Sequence, residues 1–243
     1  MSFCYAITSG KGGTGKSTVS VGLGLAFAQM GKKTLLVDMD EGLRCLDLML
    51  GVEKNLVFDL ADIFKGKEIE DAVYDTPINE NLFLIPAPAV TGNIEPLLFK
   101  DFAEKLTSLY DIVIFDFPAG VDFTLYEYLP KNTTLLAVCN PDPVSVRDAA
   151  AVCEFISIKN EKTKLIINKF VYKTLHKGLF SNIDDIIDES GFSLIGIVPQ
   201  SEELVFFQIK HKLKKHGRAL KAFKRIANRL LGCSYALPKP KKI

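Results

Sequence analysis

Apolar residues recur along this chain in two alternating rhythms. Runs that are apolar at almost every position predict strands covered on both faces: Phe3 to Thr8, Thr34 to Asp38, Leu82 to Pro86, Ile112 to Phe117, Thr134 to Cys139, Lys164 to Asn168 and Leu194 to Val198. Between them, Lys16 to Met30, Pro96 to Leu109, Val144 to Ile158, Ile183 to Glu189 and Gly217 to Leu231 predict helices. This alternation predicts an α/β fold of three layers, a mostly parallel central sheet with helices on both faces. Neither a repeat nor a low-complexity linker interrupts it, so residues 1–232 read as a single domain. A basic tail, 233–243, follows, where Pro238 and Pro240 oppose a helix.

With 243 residues, 48% of them hydrophobic, the chain can bury a sizeable core without staples. No apolar run reaches the ~18 residues of a membrane span, and the first residues lack the pattern of a secretory signal. Cys4, Cys45, Cys139, Cys153 and Cys233 are scattered, odd in number and form no CxxC. They read as free thiols of a reducing, cytoplasmic compartment rather than as a disulfide frame or zinc site. The net charge of +1 conceals an asymmetry. From Lys210 onward there are twelve Lys or Arg and no acid, while the preceding chain carries a net −11. Such a basic end on an acidic body suits an anionic partner, a membrane surface or DNA, although a solvated helix face reads the same way.

The sharpest chemical signal is Ser9-Gly10-Lys11-Gly12-Gly13-Thr14-Gly15-Lys16-Ser17-Thr18. It follows the first strand and opens the first long helix, and Gly10 to Ser17 satisfies the spacing of a P-loop. Glycines let backbone N–H groups converge on phosphate oxygens, and the helix N-terminus adds its dipole. Lys16 is placed to pair with β- and γ-phosphates, and the Ser17 hydroxyl to ligate Mg²⁺. Carboxylates to complete the magnesium shell end two strands: Asp116 on one, Asp38 and Asp40 on the other. In a parallel sheet these ends share the edge at which ligands bind.

A second lysine, Lys11, after the first P-loop glycine gives the deviant form of this motif, which resembles the MinD/ParA family of P-loop ATPases. The resemblance extends from Phe3 to about Gly232. It includes Val37-Asp38-Met39-Asp40-Glu41-Gly42-Leu43-Arg44-Cys45-Leu46-Asp47-Leu48, similar to that family's switch I. Asp116-Phe117-Pro118-Ala119-Gly120-Val121 is similar to its switch II, and Asn140-Pro141 with Ser145-Val146-Arg147-Asp148 to a segment after a core strand. The Gly42-Leu43-Arg44-x-Leu46-Asp47-Leu48 run points to the MinD branch.

The resemblance implies a P-loop NTPase fold, hydrolysis of ATP with Mg²⁺, and a homodimer closed over two nucleotides. It implies that Lys11 reaches the partner's phosphates and that Asp40 orients or deprotonates the attacking water. Asp38 and Asp116 hold the magnesium shell, partly through water, and Gly120 frees switch II beside the γ-phosphate. Asn168 would read adenine, and Pro199 with Gln200 would form a second base-contacting loop. It further implies a role in septum placement, a MinE- or MinC-like regulator, and peripheral attachment at the inner face of the cell membrane. The separate amphipathic helix that follows the last domain helix in MinD proteins is not read between Gly232 and Ile243. A ParA-like partition ATPase bound to nonspecific DNA is the alternative. A metal-centre maturation ATPase fits less well, because no cysteine pair is present.

Overall fold

The computed structural model describes residues 2–89, 94–120, 124–155, 162–175, 180–210 and 217–242. Val121, the predicted helix end at 156–158 and the basic stretch 211–216 lie outside them. Eight strands make one sheet: β1 (Phe3–Thr8), β2 (Thr34–Asp38), β3 (Tyr74–Thr76), β4 (Asn79–Ile85), β5 (Ile112–Asp116), β6 (Thr134–Cys139), β7 (Thr163–Phe170) and β8 (Ser193–Pro199). Their order is β3-β4-β2-β5-β1-β6-β7-β8, and only the β3–β4 pair is antiparallel. Central strands such as β5, Ile-Val-Ile-Phe-Asp, are buried at every position, as a doubly covered parallel sheet requires.

The helices are α1 (Lys16–Ala28), α2 (Leu46–Leu50), α3 (Leu60–Phe64), α4 (Pro96–Leu109), α5 (Pro143–Phe155), α6 (Tyr172–Leu175), α7 (Ile183–Ser190), α8 (Glu202–Lys210) and α9 (Arg218–Leu230). On one face of the sheet α3, α4, α5 and α7 bury Leu60, Phe99, Phe102, Leu106, Val146, Val152 and Ile186. On the other, α1, α2, α8 and α9 bury Val19, Leu23, Phe27, Leu46, Phe207, Phe223 and Ile226. The predicted three-layer architecture is therefore observed.

Helix termini follow local chemistry. Glu95 caps α4 by accepting from the N–H groups of Leu97 and Leu98, with Pro96 at the first helical position. Asn182 and Asp185 form a reciprocal capping box at α7, which ends on left-handed Gly191. By contrast, α1 starts at left-handed Gly15 with no side-chain cap, leaving its first N–H groups for an external acceptor. α1 is covered on nearly all sides, by the sheet and by α9. Gly22 lets the Phe223 ring of α9 close on it, since a Cβ there would collide with that ring. The amphipathic α9 packs its Leu220, Phe223, Ile226 and Ala227 side inward, as its sequence predicts, and keeps Arg218, Lys221 and Arg225 exposed. Among the described residues no helix is long and apolar enough to cross a membrane.

Candidate active site

The loop from Ser9 to Gly15 joins the central strand β1 to α1 at the edge where β2, β5 and β7 also end. Gly13 and Gly15 have φ of 81° and 87°, a region that favours glycine. Gly10 is required for a different reason: a Cβ there would run into the Asp148 backbone of α5. Lys11, Gly12 and Gly13 are exposed, whereas Thr14 is buried. The Ser9 hydroxyl donates to Lys11 O at 3.1 Å and the Gly120 N–H donates to Ser9 O at 3.1 Å, tying the loop to the segment after β5.

Lys16, though charged, is only 6% exposed. Its Nζ lies 3.1 Å from Asp116 Oδ1, and the Ser20 hydroxyl donates to the same oxygen at 2.8 Å. The other Asp116 oxygen, Oδ2, is buried without a partner among the described residues. Asp38 is the register neighbour of Asp116 across β2 and β5. Its Oδ1 accepts from the Asp40 N–H at 3.0 Å, and its Oδ2 accepts from Leu46 at 3.2 Å and Cys45 at 3.4 Å. Burial, then the adjacent charge of Asp116, pushes Asp38 up to about 7, against the pull of those three donors. Asp40 is raised chiefly by burial, while the Lys16 ammonium acts in the opposite sense. Ser17 follows Lys16 on α1, beside the Cys45 thiol, which burial pushes up to about 11. Among the described residues no three His, Cys, Asp or Glu side chains converge into a preformed metal cage. Asp38, with both oxygens engaged by backbone, is built to hold the chain from Asp40 to Leu46 in place.

From β7, the buried Asn168 also reaches the loop, and its Nδ2 donates to Thr14 O at 2.8 Å. Its Oδ1 is buried and has no partner among the described residues. Lys169 takes a left-handed φ of 51°, rare for a side-chain-bearing residue, and its Nζ donates to Gly13 O at 2.6 Å. Pro199 is buried at the end of β8, and the N–H of the exposed Gln200 donates to Phe170 O at 3.0 Å. The Asn140 N–H donates to the Ser145 hydroxyl at 2.9 Å where α5 begins.

The structure thus brings Lys16, Ser17, Asp38, Asp40 and Asp116 together where the loop enters α1, with Asn168 against Thr14 and Gly15 and Lys11 exposed. Ser20 escaped the sequence reading, as did the contact of Lys169 with the loop. Ser20 had a signal: it lies four residues after Lys16 and so on the same helical face. Such an arrangement can bind an anion at an uncapped helix N-terminus, neutralise it with a buried lysine, and set carboxylates beside it for a metal or proton.

Residues 5–213 match the model of the CobQ/CobB/MinD/ParA nucleotide binding domain. The septum site-determining protein MinD of Thermotoga maritima is 32% identical, over 93% of this chain and 87% of its own length. MinD of Bacillus subtilis is 32% identical, over 98% of this chain and 92% of its own. Among solved structures, the MinC:MinD cell division protein complex of Aquifex aeolicus is similar with a TM-score of 0.87 and 31% identity, over 98% of this chain and 99% of that one. MinD of Pyrococcus horikoshii, complexed with Mg-ADP, has a TM-score of 0.79 and 25% identity, over 95% of this chain and 96% of that one. Motif, sheet order and these likenesses agree: the chain belongs to the MinD/ParA family of nucleotide-binding proteins.

Proposed function

We propose that this chain is a MinD-like ATPase that binds Mg-ATP on the P-loop, dimerises on ATP and takes part in placing the division septum. The observation that carries the nucleotide assignment is a pair of orphaned buried acceptors on two side chains that meet the Thr14–Lys16 end of one phosphate cradle: Asp116 Oδ2, beside Lys16, and Asn168 Oδ1, beside Thr14. A buried acceptor without a donor is costly unless a ligand completes it. Asn168 Oδ1 fits the exocyclic amino group of adenine, which donates, and mismatches the carbonyl that guanine presents instead. Asp116 Oδ2 fits a metal-bound water.

Lys16 would exchange part of its contact with Asp116 for the β- and γ-phosphates. Ser17 would ligate Mg²⁺ directly, with Asp38, Asp40 and Asp116 around it, partly through water. The ion supplies charge neutralisation on the phosphate oxygens. Asp40, its carboxyl raised by burial, suits a group that takes a proton from the attacking water. Lys11, exposed at the loop tip, would cross to a second copy and stabilise charge developing in its transition state. Gly10, Gly12, Gly13, Thr14, Gly15 and Thr18 complete the cradle, and Pro199 and Gln200 the base pocket. The neighbouring complex supports a MinC-like partner, and a MinE-like regulator is part of the same reading. Solved partition proteins, at 21% and 24% identity, share the fold alone and give the DNA-binding alternative less support.

Size analysis of an Asp40→Ala variant with Mg-ATP and with Mg-ADP tests the proposal. A dimer with ATP only is expected, and a strictly monomeric profile at saturating ATP contradicts it. Lys11→Ala should keep nucleotide affinity while losing dimerisation. ATP-dependent cosedimentation with anionic vesicles and with duplex DNA separates the division reading from the partition reading.

A further inference from the structure

Away from the P-loop, a cavity of about 220 Å³ opens along the free edge of β8, under the outer side of α9 and the tail at 236–238. Four cationic residues of α9 line it: Arg218, Lys221, Arg225 and Arg229. Their spacings of three and four residues stack them along one helix face. No carboxylate is among the described residues that line it. Like charges at these spacings repel one another.

Arg229 adds a second, independent observation. Its Nη2 donates to Leu194 O at 3.4 Å, which fixes the guanidinium over the start of β8. Its Nη1 is buried with no partner among the described residues. A partly desolvated guanidinium with one nitrogen still lacking an acceptor favours a bound anion nearby. The rest of the lining is apolar and includes Ile195, Ile197, Pro199, Leu237 and Pro238. Gly196 lets α9 seat closely on β8, because a Cβ there would strike Ile226.

We propose that this cavity is a second anion site, one that takes a phosphate group carried on a short apolar stem. Arginine forks and a lysine match the several oxygens of a phosphate, and the cavity exceeds the space of a few waters. The isoleucines and Leu237 contact the stem. A hollow with an apolar wall suits a discrete headgroup or phosphorylated small molecule better than a duplex, whose backbone reads lines of exposed cations. The cavity contains no P-loop residue, although Pro199 at the end of β8 lines it as well, and the inference stands whether or not the proposed ATPase reading holds.

The test is calorimetric titration of the full chain with hexyl phosphate, after saturation with Mg-ADP so that the P-loop contributes nothing. Saturable binding is expected, with inorganic phosphate weaker because it leaves the apolar wall unused. Lys221→Gln and Arg225→Gln, both at exposed positions that leave the fold intact, should each weaken it about tenfold, the scale of one charge-assisted hydrogen bond. Arg225→Lys should recover part of the loss. Phosphatidylcholine vesicles with and without phosphatidic acid identify the source. Capture by the acidic vesicles alone, lost in both variants and displaced by hexyl phosphate, makes a lipid headgroup the ligand, whereas hexyl phosphate binding without capture makes it a soluble phosphate ester. Absence of saturable binding, or equal affinity in parent and variants, overturns the site. Duplex DNA binding that the variants lose and hexyl phosphate does not displace also overturns it.

Discussion

Replacing Lys16 with methionine should destabilise the fold before any nucleotide is added. The ammonium is 6% exposed and lies 3.1 Å from the carboxylate of Asp116, which is 0% exposed. Methionine keeps the packing volume and removes the charge. Asp116 then retains one donor, the Ser20 hydroxyl at 2.8 Å, while its Oδ2 still has none among the described residues. Breaking a buried pair from one side costs about 3–5 kcal/mol, most of it the unpaired charge left behind. For a domain of this size that lowers Tm by on the order of 10 °C. Asp116→Asn should cost less, because the long Lys16 stem can turn toward Ser17 and the loop, and the amide oxygen still accepts from Ser20. The double variant should lose less than the sum of the singles by about 2 kcal/mol, since the stranded carboxylate is gone. Urea unfolding of the four proteins without nucleotide measures this coupling. A coupling below about 0.5 kcal/mol, the level of independent sites, would refute the reasoning. The practical result is that lost nucleotide affinity in a Lys16 variant must be corrected for lost folding.

Other consequences can be measured separately. Gly22→Ala places a methyl against the Phe223 ring and should cost about 1–3 kcal/mol in chemical unfolding; a neutral result would mean that α1 and α9 separate easily. Asn168→Asp replaces a donor to Thr14 O with an acceptor, so competition binding should show roughly tenfold or greater loss for ATP. Equal losses for ATP and GTP would remove Asn168 from base reading. Burial raises the Cys45 thiol to about 11, which leaves roughly a thousandth as thiolate at pH 8, with reactivity climbing as pH rises toward that value. The exposed Cys233 should therefore react with a disulfide reagent first, and the buried Cys4 and Cys139, both pushed up to about 12, only on unfolding.

The strands with the clearest apolar runs were legible to the residue: β1, β2 and β6 begin and end where the pattern places them. β7 runs one residue earlier and two later than the pattern predicts, because Phe170 pairs again with Pro199 past an irregularity at Asn168 and the left-handed Lys169. β3 was not legible, since three residues, Tyr-Asp-Thr, on an antiparallel edge need no apolar run. α2 and α3 have five residues each, too short for a helical period to register. α8 hid because Leu204 to Phe207 is a continuous apolar run without helical spacing. At the site, spacing alone located the loop and its carboxylates. The bond from Asn168 to the loop backbone joins residues 154 apart and is visible only once β7 and β1 share a sheet. The basic charge of α9 was legible, whereas the hollow beneath it depends on Gly196 and on the path of the tail.

The position of β1 has a consequence for how the chain reaches its fold. The first strand made is the central one, flanked by β5 and β6, whose residues follow more than a hundred positions later. During synthesis, β1 and the glycine loop must wait with both edges unpaired until Ile112–Asp116 and then Thr134–Cys139 have left the ribosome. β2 and β4 can pair in the meantime, but they are separated from β1 by the missing β5. Loop closure over such separations is slow, and an apolar strand open on both sides is a template for wrong pairing. Nascent chains stalled before residue 112 should therefore be protease-sensitive through the glycine loop, with protection arriving in one late step once β6 has emerged.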